Sequence, residues 1–336
     1  MAEMTIQPAS AGTVPKPEFR AHSERTAVLI NAQSGTVRSM GVDAARALVE
    51  SELSKWPAPA ELHILSGAEI DSTVRDMIRA KTVSAIVAGG GDGTIASIAG
   101  HLAGTDIALG MLPLGTMNLM AKSLNISQDL TEALSQLGNA ATQKIDVGRV
   151  DGRVFLHHVS LGIQPRMVRI RERLGYSSRW TKMLAGARAM LSVILKPQSM
   201  RLKAVIDGQP REMKAPAFVI SNNRYEDSGW MKHKRLDEGV LGVYAVKPMS
   251  TLAFLKLAMD MLRGRWRDNL NVEEGSAHEV RLEKRRRFGG KSRALLGSLD
   301  GEVTLLRSPV EIRIDRSALN VLVPPVENAG NGQELS

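Results

Sequence analysis

The chain has no cysteine in 336 residues. This excludes disulfides and thiolate metal sites, and it suits a reducing, cytoplasmic setting. Aromatic residues make up only 4%, and only Phe288 lies near the basic run at 284–293; this argues against a platform that stacks single-stranded bases, and no nucleic-acid partner is expected. No stretch reaches the roughly 18 apolar residues that span a bilayer. The nearest, Leu252 to Leu262, is short and interrupted by Lys256 and Asp260. Residues 1–24 hold no apolar segment and read as a disordered tail, not a signal peptide.

Familiar phosphate loops are missing as well. Gly290-Lys291-Ser292 has the ending of a Walker loop, but Arg285 stands where its first glycine belongs. Gly91-Asp92-Gly93-Thr94-Ile95-Ala96 fits the dinucleotide pattern G-x-G-x-x-A formally. The acid that should close the next strand, about 20 residues on, is absent from Met111-Leu112-Pro113. No H-R-D or D-F-G signature occurs, which argues against a protein-kinase fold.

The length suggests two domains, and 43% hydrophobic residues can fill their cores. Lys+Arg 44 against Asp+Glu 35 leaves a net charge of +9. Such a balance favours anionic partners: a nucleotide, nucleic acid or acidic lipid headgroups.

The most informative residues are Gly89-Gly90-Gly91-Asp92-Gly93-Thr94. They follow the apolar run Val83–Ala88 and precede the small and apolar run Ile95–Leu102. That order predicts strand, glycine turn and helix, with helix N–H groups free for a phosphate. Asp92 adds negative charge where a bare anion site would have none. A metal ion or a hydroxyl losing its proton would account for it; a helix N-cap is the plainer alternative.

Around this loop the pattern alternates. Strands are predicted at Thr26–Ile30, Leu62–Leu65, Val83–Ala88 and Ile107–Leu112, with helices at Val42–Trp56 and Ile70–Ala80. Alternation of this kind predicts a parallel sheet with helices on both faces and ligands at the carboxyl ends of its strands. The loops at 31–35, 66–67, 89–94 and 113–118 all fall there. After a linker near Gly148–Gly152 the texture becomes β-rich, with runs at Arg153–Ser160, Ala204–Asp207, Ala217–Ser221, Val240–Val246, Glu279–Leu282 and Val303–Leu306. Helical patterning there is confined to Arg179–Leu195 and Ser250–Arg267. The expected domains are 25–149 and 150–317.

Six motifs in order resemble the diacylglycerol kinase catalytic-domain family, especially its soluble bacterial lipid kinases. Sphingosine and ceramide kinases are more distant relatives. Gly90-Gly91-Asp92-Gly93-Thr94 resembles G-G-D-G-T. Asn31-Ala32-Gln33-Ser34-Gly35 resembles N-P-x-S-G, with Ala32 in the proline place. Pro113-Leu114-Gly115-Thr116-Met117-Asn118 resembles P-x-G-T-x-N, and Asp146-Val147-Gly148 resembles D-x-G. Leu236-Asp237-Glu238-Gly239 resembles L-D-D-G, and Asp300-Gly301-Glu302 resembles D-G-E.

The resemblance implies a nucleotide-binding, doubly wound α/β domain plus a β-sandwich domain, with a segment near 318–328 returning to the first. It implies ATP as phosphate donor, Mg²⁺, and a lipid hydroxyl as acceptor, most readily that of diacylglycerol. By the same resemblance Glu302 is the base and Asp92 sits at the phosphates. Asn31, Ala32, Gln33, Ser34, Gly35, Ser66, Gly90, Gly91, Gly93, Thr94, Gly115, Thr116 and Asn118 would hold the nucleotide. In the Asp237-Glu238 loop, the Arg235 and Val240 carbonyls with the Glu238 carboxylate would form a metal site, though Glu238 stands where aspartate is usual. Asn118 would brace its loop, and Leu119 replaces an aspartate common at the next position.

Ordinary turn chemistry is the competing account of the Asn, Ser and Gly positions, and a hairpin turn that of Asp300-Gly301. His157 and His158 have no acid or cysteine at ligand spacing and read as structural. The run Lys284-Arg285-Arg286-Arg287, with Lys291 and Arg293, could face an anionic membrane. The expectation is therefore a cytoplasmic lipid kinase in peripheral contact with membrane; a homodimer is left open. The rivals are a NAD kinase-like enzyme and a nucleotide- or membrane-binding relative without turnover.

Overall fold

Runs of Val, Ile, Leu and Ala build the first sheet. Its strands are β1 (Thr26–Asn31), β2 (Ala60–Leu65), β3 (Ala85–Gly90) and β4 (Ala108–Pro113). In this computed structural model residues 25–174, 199–226, 231–284 and 294–325 are described. The tail at 1–24, the helix expected at 179–195 and the basic run beyond Lys284 lie outside them.

β1 pairs in parallel with β2 and with β3, and β3 pairs in parallel with β4. Every residue of β3 and β4 is buried, as expected for strands covered on both faces. The helices are α1 (Gly35–Met40), α2 (Val42–Leu53), α3 (Gly67–Ala80), α4 (Asp92–Leu102), α5 (Leu119–Ser123) and α6 (Leu130–Gly138). α2 packs with α6, and α3 with α4. The strand order β2-β1-β3-β4 reverses direction between β1 and β3. A crevice at the carboxyl ends of those two strands follows from that reversal.

Boundaries differ from the sequence reading in one instructive place. Gly89 and Gly90 belong to β3, in register with Leu112 and Pro113, and α4 starts at Asp92. The glycines serve packing there: a Cβ on Gly89 would lie 2.9 Å from the Ile30 and Leu114 side chains. Only Gly91 is left as the turn.

The chain divides into two compact units. The α/β unit runs to Lys144 and resumes at Leu319; the sandwich unit is Ile145–Ala318. The expected linker at Gly148–Gly152 is absent. β5 (Ala141–Val150) carries the chain across the boundary as strand, and Asp151 and Gly152, with φ of 49° and 82°, turn it into β6 (Arg153–Phe155). β16 (Val310–Val323) crosses the second boundary, and its Val321 pairs in parallel with Leu109 of β4.

The sandwich strands are β7 (His158–Gly162), β8 (Met200–Ile206), β9 (Gln209–Ala215), β10 (Ala217–Asn222), β11 (Leu241–Val246), β12 (Val272–Ala277), β13 (Glu279–Lys284), β14 (Ala294–Leu299) and β15 (Glu302–Arg307). One antiparallel sheet has the order β12-β11-β10-β7-β14-β15. The other sets the first half of β16 against β13, then β8 and β9, all antiparallel. β8 shows why: Met200, Leu202, Ala204 and Ile206 are buried while Arg201 and Lys203 face water. Side chains of both sheets, Phe155, Leu161, Phe218, Leu282 and Ile312 among them, share one core. Each such fully buried side chain contributes about 1.5–3 kcal/mol.

A helix follows β11 at Thr251–Leu262, ending well before the expected Arg267 because Gly264 turns left-handed (φ 70°). α7 (Ile163–Leu174) follows β7.

Candidate active site

Three loops meet at the carboxyl ends of β1, β3 and β4. Asn31 closes β1 and reaches across the strand reversal: its Nδ2 donates to Thr94 Oγ1 at 3.0 Å, and its Oδ1 accepts from Gln33 N at 2.9 Å. The next loop residues lean on the β4 exit, where Thr36 N and Thr36 Oγ1 both donate to the Leu114 carbonyl. Ala32 donates its N–H to the Leu65 carbonyl at 2.9 Å, a bond that the proline of the family pattern could not make.

Gly91 and Gly115 bring two of these loops into backbone contact. A Cβ on Gly115 would lie 2.5 Å from Gly91 Cα, so no other residue fits without parting the loops. Asn118 fixes this geometry from a left-handed backbone (φ 49°). Its Oδ1 accepts from Gly115 N at 2.9 Å and its Nδ2 donates to Gln128 Oε1 at 3.2 Å. Asp92, half-buried at the start of α4, accepts from Leu119 N at 2.8 Å. Burial pushes the Asp92 carboxyl above its usual range, against the pull of the Leu119 and Asn118 N–H groups and Lys122.

α4 begins without any side-chain cap, so Gly91 and the first turn present N–H groups unblocked by their own sequence. Ser34 is buried, yet its hydroxyl has no partner among the described residues. A buried hydroxyl of this kind costs free energy unless something bonds it. Together these features suit a phosphate chain and its ribose. Thr116 is exposed at the rim. Ser66 is otherwise engaged: it caps α3, its hydroxyl donating to Glu69 Oε2 at 2.7 Å.

Glu302 belongs to the sandwich unit. It is exposed at the start of β15, paired with Leu299 across a hairpin. Asp300 and Gly301 form the turn, with φ of 46° and 91°. Asp300 is the anchor that the sequence reading left without a role. It is buried, and its carboxylate accepts from the N–H groups of Leu156, His157 and His158 at 2.8, 2.8 and 2.9 Å.

A second anchor was also quoted without a role. Buried Asp146 accepts from Ser317 N at 2.8 Å and Gly239 N at 2.6 Å, and so ties the 236–239 loop down. Desolvation raises its carboxyl too, although those N–H groups favour the charged form.

The loop expected to hold a metal does not suit one. Arg224 grips Glu238 from two nitrogens, Nε to Oε2 at 3.0 Å and Nη2 to Oε1 at 3.1 Å. Arg235 grips Asp237 in the same way at 2.8 and 2.9 Å, and the Gly239 carbonyl accepts from Arg316 Nε at 3.1 Å. One guanidinium thus holds the Glu238 carboxylate expected to bind the metal, and another holds its neighbour Asp237. Among the described residues no group of three or more His, Asp or Glu converges as a metal site.

The two histidines are structural. Gln164 donates to His158 Nε2, His158 and His157 share a bond between their Nδ1 atoms, and His157 Nε2 donates to the Met231 carbonyl. Burial holds both neutral, with His158 pushed down to about 4.

Comparison with known proteins supports the same reading. The diacylglycerol kinase catalytic domain matches residues 25–150, and the YegS C-terminal NAD kinase beta sandwich-like domain matches residues 157–323. A diacylglycerol kinase of Bacillus subtilis (strain 168) is 24% identical over 211 residues, covering 59% of this chain and 66% of its own. The crystal structure of a diacylglycerol kinase from Bacillus anthracis str. Sterne superposes with a TM-score of 0.66 at 19% identity, over 91% of this chain and 99% of that one. That likeness establishes the shared fold.

Proposed function

We propose that this chain, which belongs to the diacylglycerol kinase catalytic-domain family, transfers the γ-phosphate of ATP to a lipid hydroxyl, that of diacylglycerol before others. The observation that carries the reading is the buried Ser34 hydroxyl, without a partner among the described residues, beside two loops packed so closely that only glycine fits at Gly115. A site built this way admits a ligand rich in acceptor oxygens and leaves no room for a side chain.

In this reading the uncapped start of α4 receives the phosphates, and Asn31, Ser34 and Thr94 orient them or the ribose. Mg²⁺ bound with the nucleotide would supply charge neutralisation on the transferring group, and Asp92, the first residue of α4, is the acid beside those N–H groups. Phosphoryl transfer depends mainly on positioning and charge neutralisation, and rigid loops supply the positioning. Glu302 would accept the acceptor hydroxyl's proton. Its exposure leaves the carboxylate reachable, and the Asp300 anchor fixes the hairpin that carries it. No step is assigned to the 235–240 loop, whose carboxylates are held by arginines.

The acceptor is decided by γ-labelled ATP offered with diacylglycerol, a sphingoid base, ceramide, a prenol and NAD in parallel. Label in a lipid and none in NAD supports the proposal, and the most labelled lipid names the acceptor. Label in NAD alone would establish a NAD kinase. No label anywhere, with ATP still bound, would establish a relative without turnover.

A further inference from the structure

The helix Thr251–Leu262 is apolar on two faces. Its inner face belongs to a small core: Leu257 is buried with Tyr225, Tyr244 and Trp266, and Met261 packs against them. Its outer face should be polar and is not. Leu252, Leu255 and Met259 are 79%, 41% and 46% exposed, and Leu270, beyond the helix end, is 90% exposed. The spacing of 252, 255, 256, 259 and 263 puts these side chains on one stripe, with Lys256 and Arg263 exposed among them.

Among the described residues neither cation is ion-paired with the acids nearby. Asp260 is half-buried and accepts from Asn269 Nδ2 at 2.8 Å, and Asp268 is committed to Arg265 at 3.4 Å. A depression of about 460 Å³ beside the stripe is lined by Ala253, Lys256, Asp260, Asn269 and Leu270. Leu270 therefore extends the apolar surface of the helix. Contiguous exposed apolar surface on a helix already packed from behind marks an interaction face.

We propose that this stripe docks on the surface of an anionic bilayer. Leu252, Leu255, Met259 and Leu270 enter the boundary between headgroups and acyl chains, while Lys256 and Arg263 rest on acidic headgroups. The charges select this occupant. A second copy laid on the stripe would set cations against cations, whereas acidic headgroups complement them. The proposal rests on the lipid-acceptor reading for its purpose and is tested without ATP, so the two can fail separately.

The full chain is sedimented with phosphatidylcholine vesicles with and without phosphatidylglycerol. Wild type should bind the anionic vesicles. Leu252→Ser with Leu255→Ser and Met259→Ser should lower binding by about tenfold or more. Lys256→Gln with Arg263→Gln should lower it about fivefold per cation. These positions are exposed, so each variant should melt like wild type. Three results would overturn the proposal: no wild-type binding, a triple-serine variant within about threefold of wild type, or a wild-type dimer that the serine variant converts to monomer. Transfer to a short-chain acceptor dispersed in detergent is measured alongside. Its loss with vesicle binding intact would count against the kinase reading alone.

Discussion

Replacing Asp92 by asparagine separates a catalytic role from a capping one. The amide keeps the shape and still offers an oxygen to Leu119 N, which donates to Asp92 Oδ1 at 2.8 Å in the wild type. The fold loses only the difference between a charged and a neutral acceptor, about 1 kcal/mol. Release of a half-buried charge opposes that loss. Melting should therefore shift by no more than about 2–4 °C. Turnover should fall by about 10²- to 10³-fold, the usual cost of removing one preorganised electrostatic contact from a transfer site. The pH dependence has a definite sign. Burial raises the Asp92 carboxyl above the ordinary aspartate range, so its contribution to stability is present below that range. It is lost as pH rises through the raised folded value. The asparagine does not titrate, so the variant should gain on wild type as pH rises through that window. The assays are steady-state transfer and thermal melts across the acid range. A folded variant with near-normal turnover would reduce Asp92 to a cap. A collapse in melting temperature would show that the charge itself holds the loops together.

Gly115→Ala should weaken ATP binding by about tenfold or more and destabilise the α/β unit by about 1–3 kcal/mol, because its Cβ would meet Gly91 Cα at 2.5 Å; calorimetric titration with unchanged affinity would refute the tight-loop account. Glu302→Gln should lower kcat by about 10²- to 10⁴-fold and leave ATP affinity unchanged; a rate within a few-fold of wild type would reject Glu302 as the base. Chelators should leave the melting of the nucleotide-free protein unchanged, because arginines hold Glu238 and Asp237. Arg224→Ala should cost about 1–2 kcal/mol, its guanidinium being half exposed, and should make melting rise with added Mg²⁺; a wild type that melts earlier in chelator would refute this.

Much of the α/β unit was legible because its signals are local. Apolar runs of strand length alternate with helical periods, and each is punctuated by a glycine or asparagine turn. The sheet edge bearing the loops follows from that alternation. What was not legible depended on partners distant in sequence. Gly89 and Gly90 read as loop because glycine is a turn residue, yet pairing with Leu112 and Pro113 of β4 makes them strand residues. Gly148–Gly152 read as a linker, yet pairing with Val154 and Phe155 makes most of it a hairpin. Ser66 read only as a nucleotide contact, although Glu69 three residues later is the signature of the capping box that it also forms. α7 was missed because its sequence, Ile163-Gln164-Pro165-Arg166, opens on a proline and a cation; a proline in the first helical turn is nevertheless permitted.

Departures from the family motifs sort by which atoms the structure uses. Where a position serves through its backbone, the side chain is free to change. Leu119, in place of an aspartate, supplies the N–H that binds Asp92, and any residue but proline could do so. Ala32, in place of proline, adds a ladder bond from its N–H to Leu65. Neither change gives a reason to expect lost turnover. Glu238 is different, because a metal ligand serves through its carboxylate. There the longer side chain meets Arg224, which supplies positive charge from within the chain. Asp146 and Asp300 obey the same rule from the other side. Both serve through carboxylates that collect backbone N–H groups, two at Asp146 and three at Asp300. Asparagine could satisfy only part of either set, since its amide nitrogen would face a donor. Those two aspartates, with no part in the proposed chemistry, should therefore tolerate substitution less well than Leu119 or Ala32 within the motifs themselves.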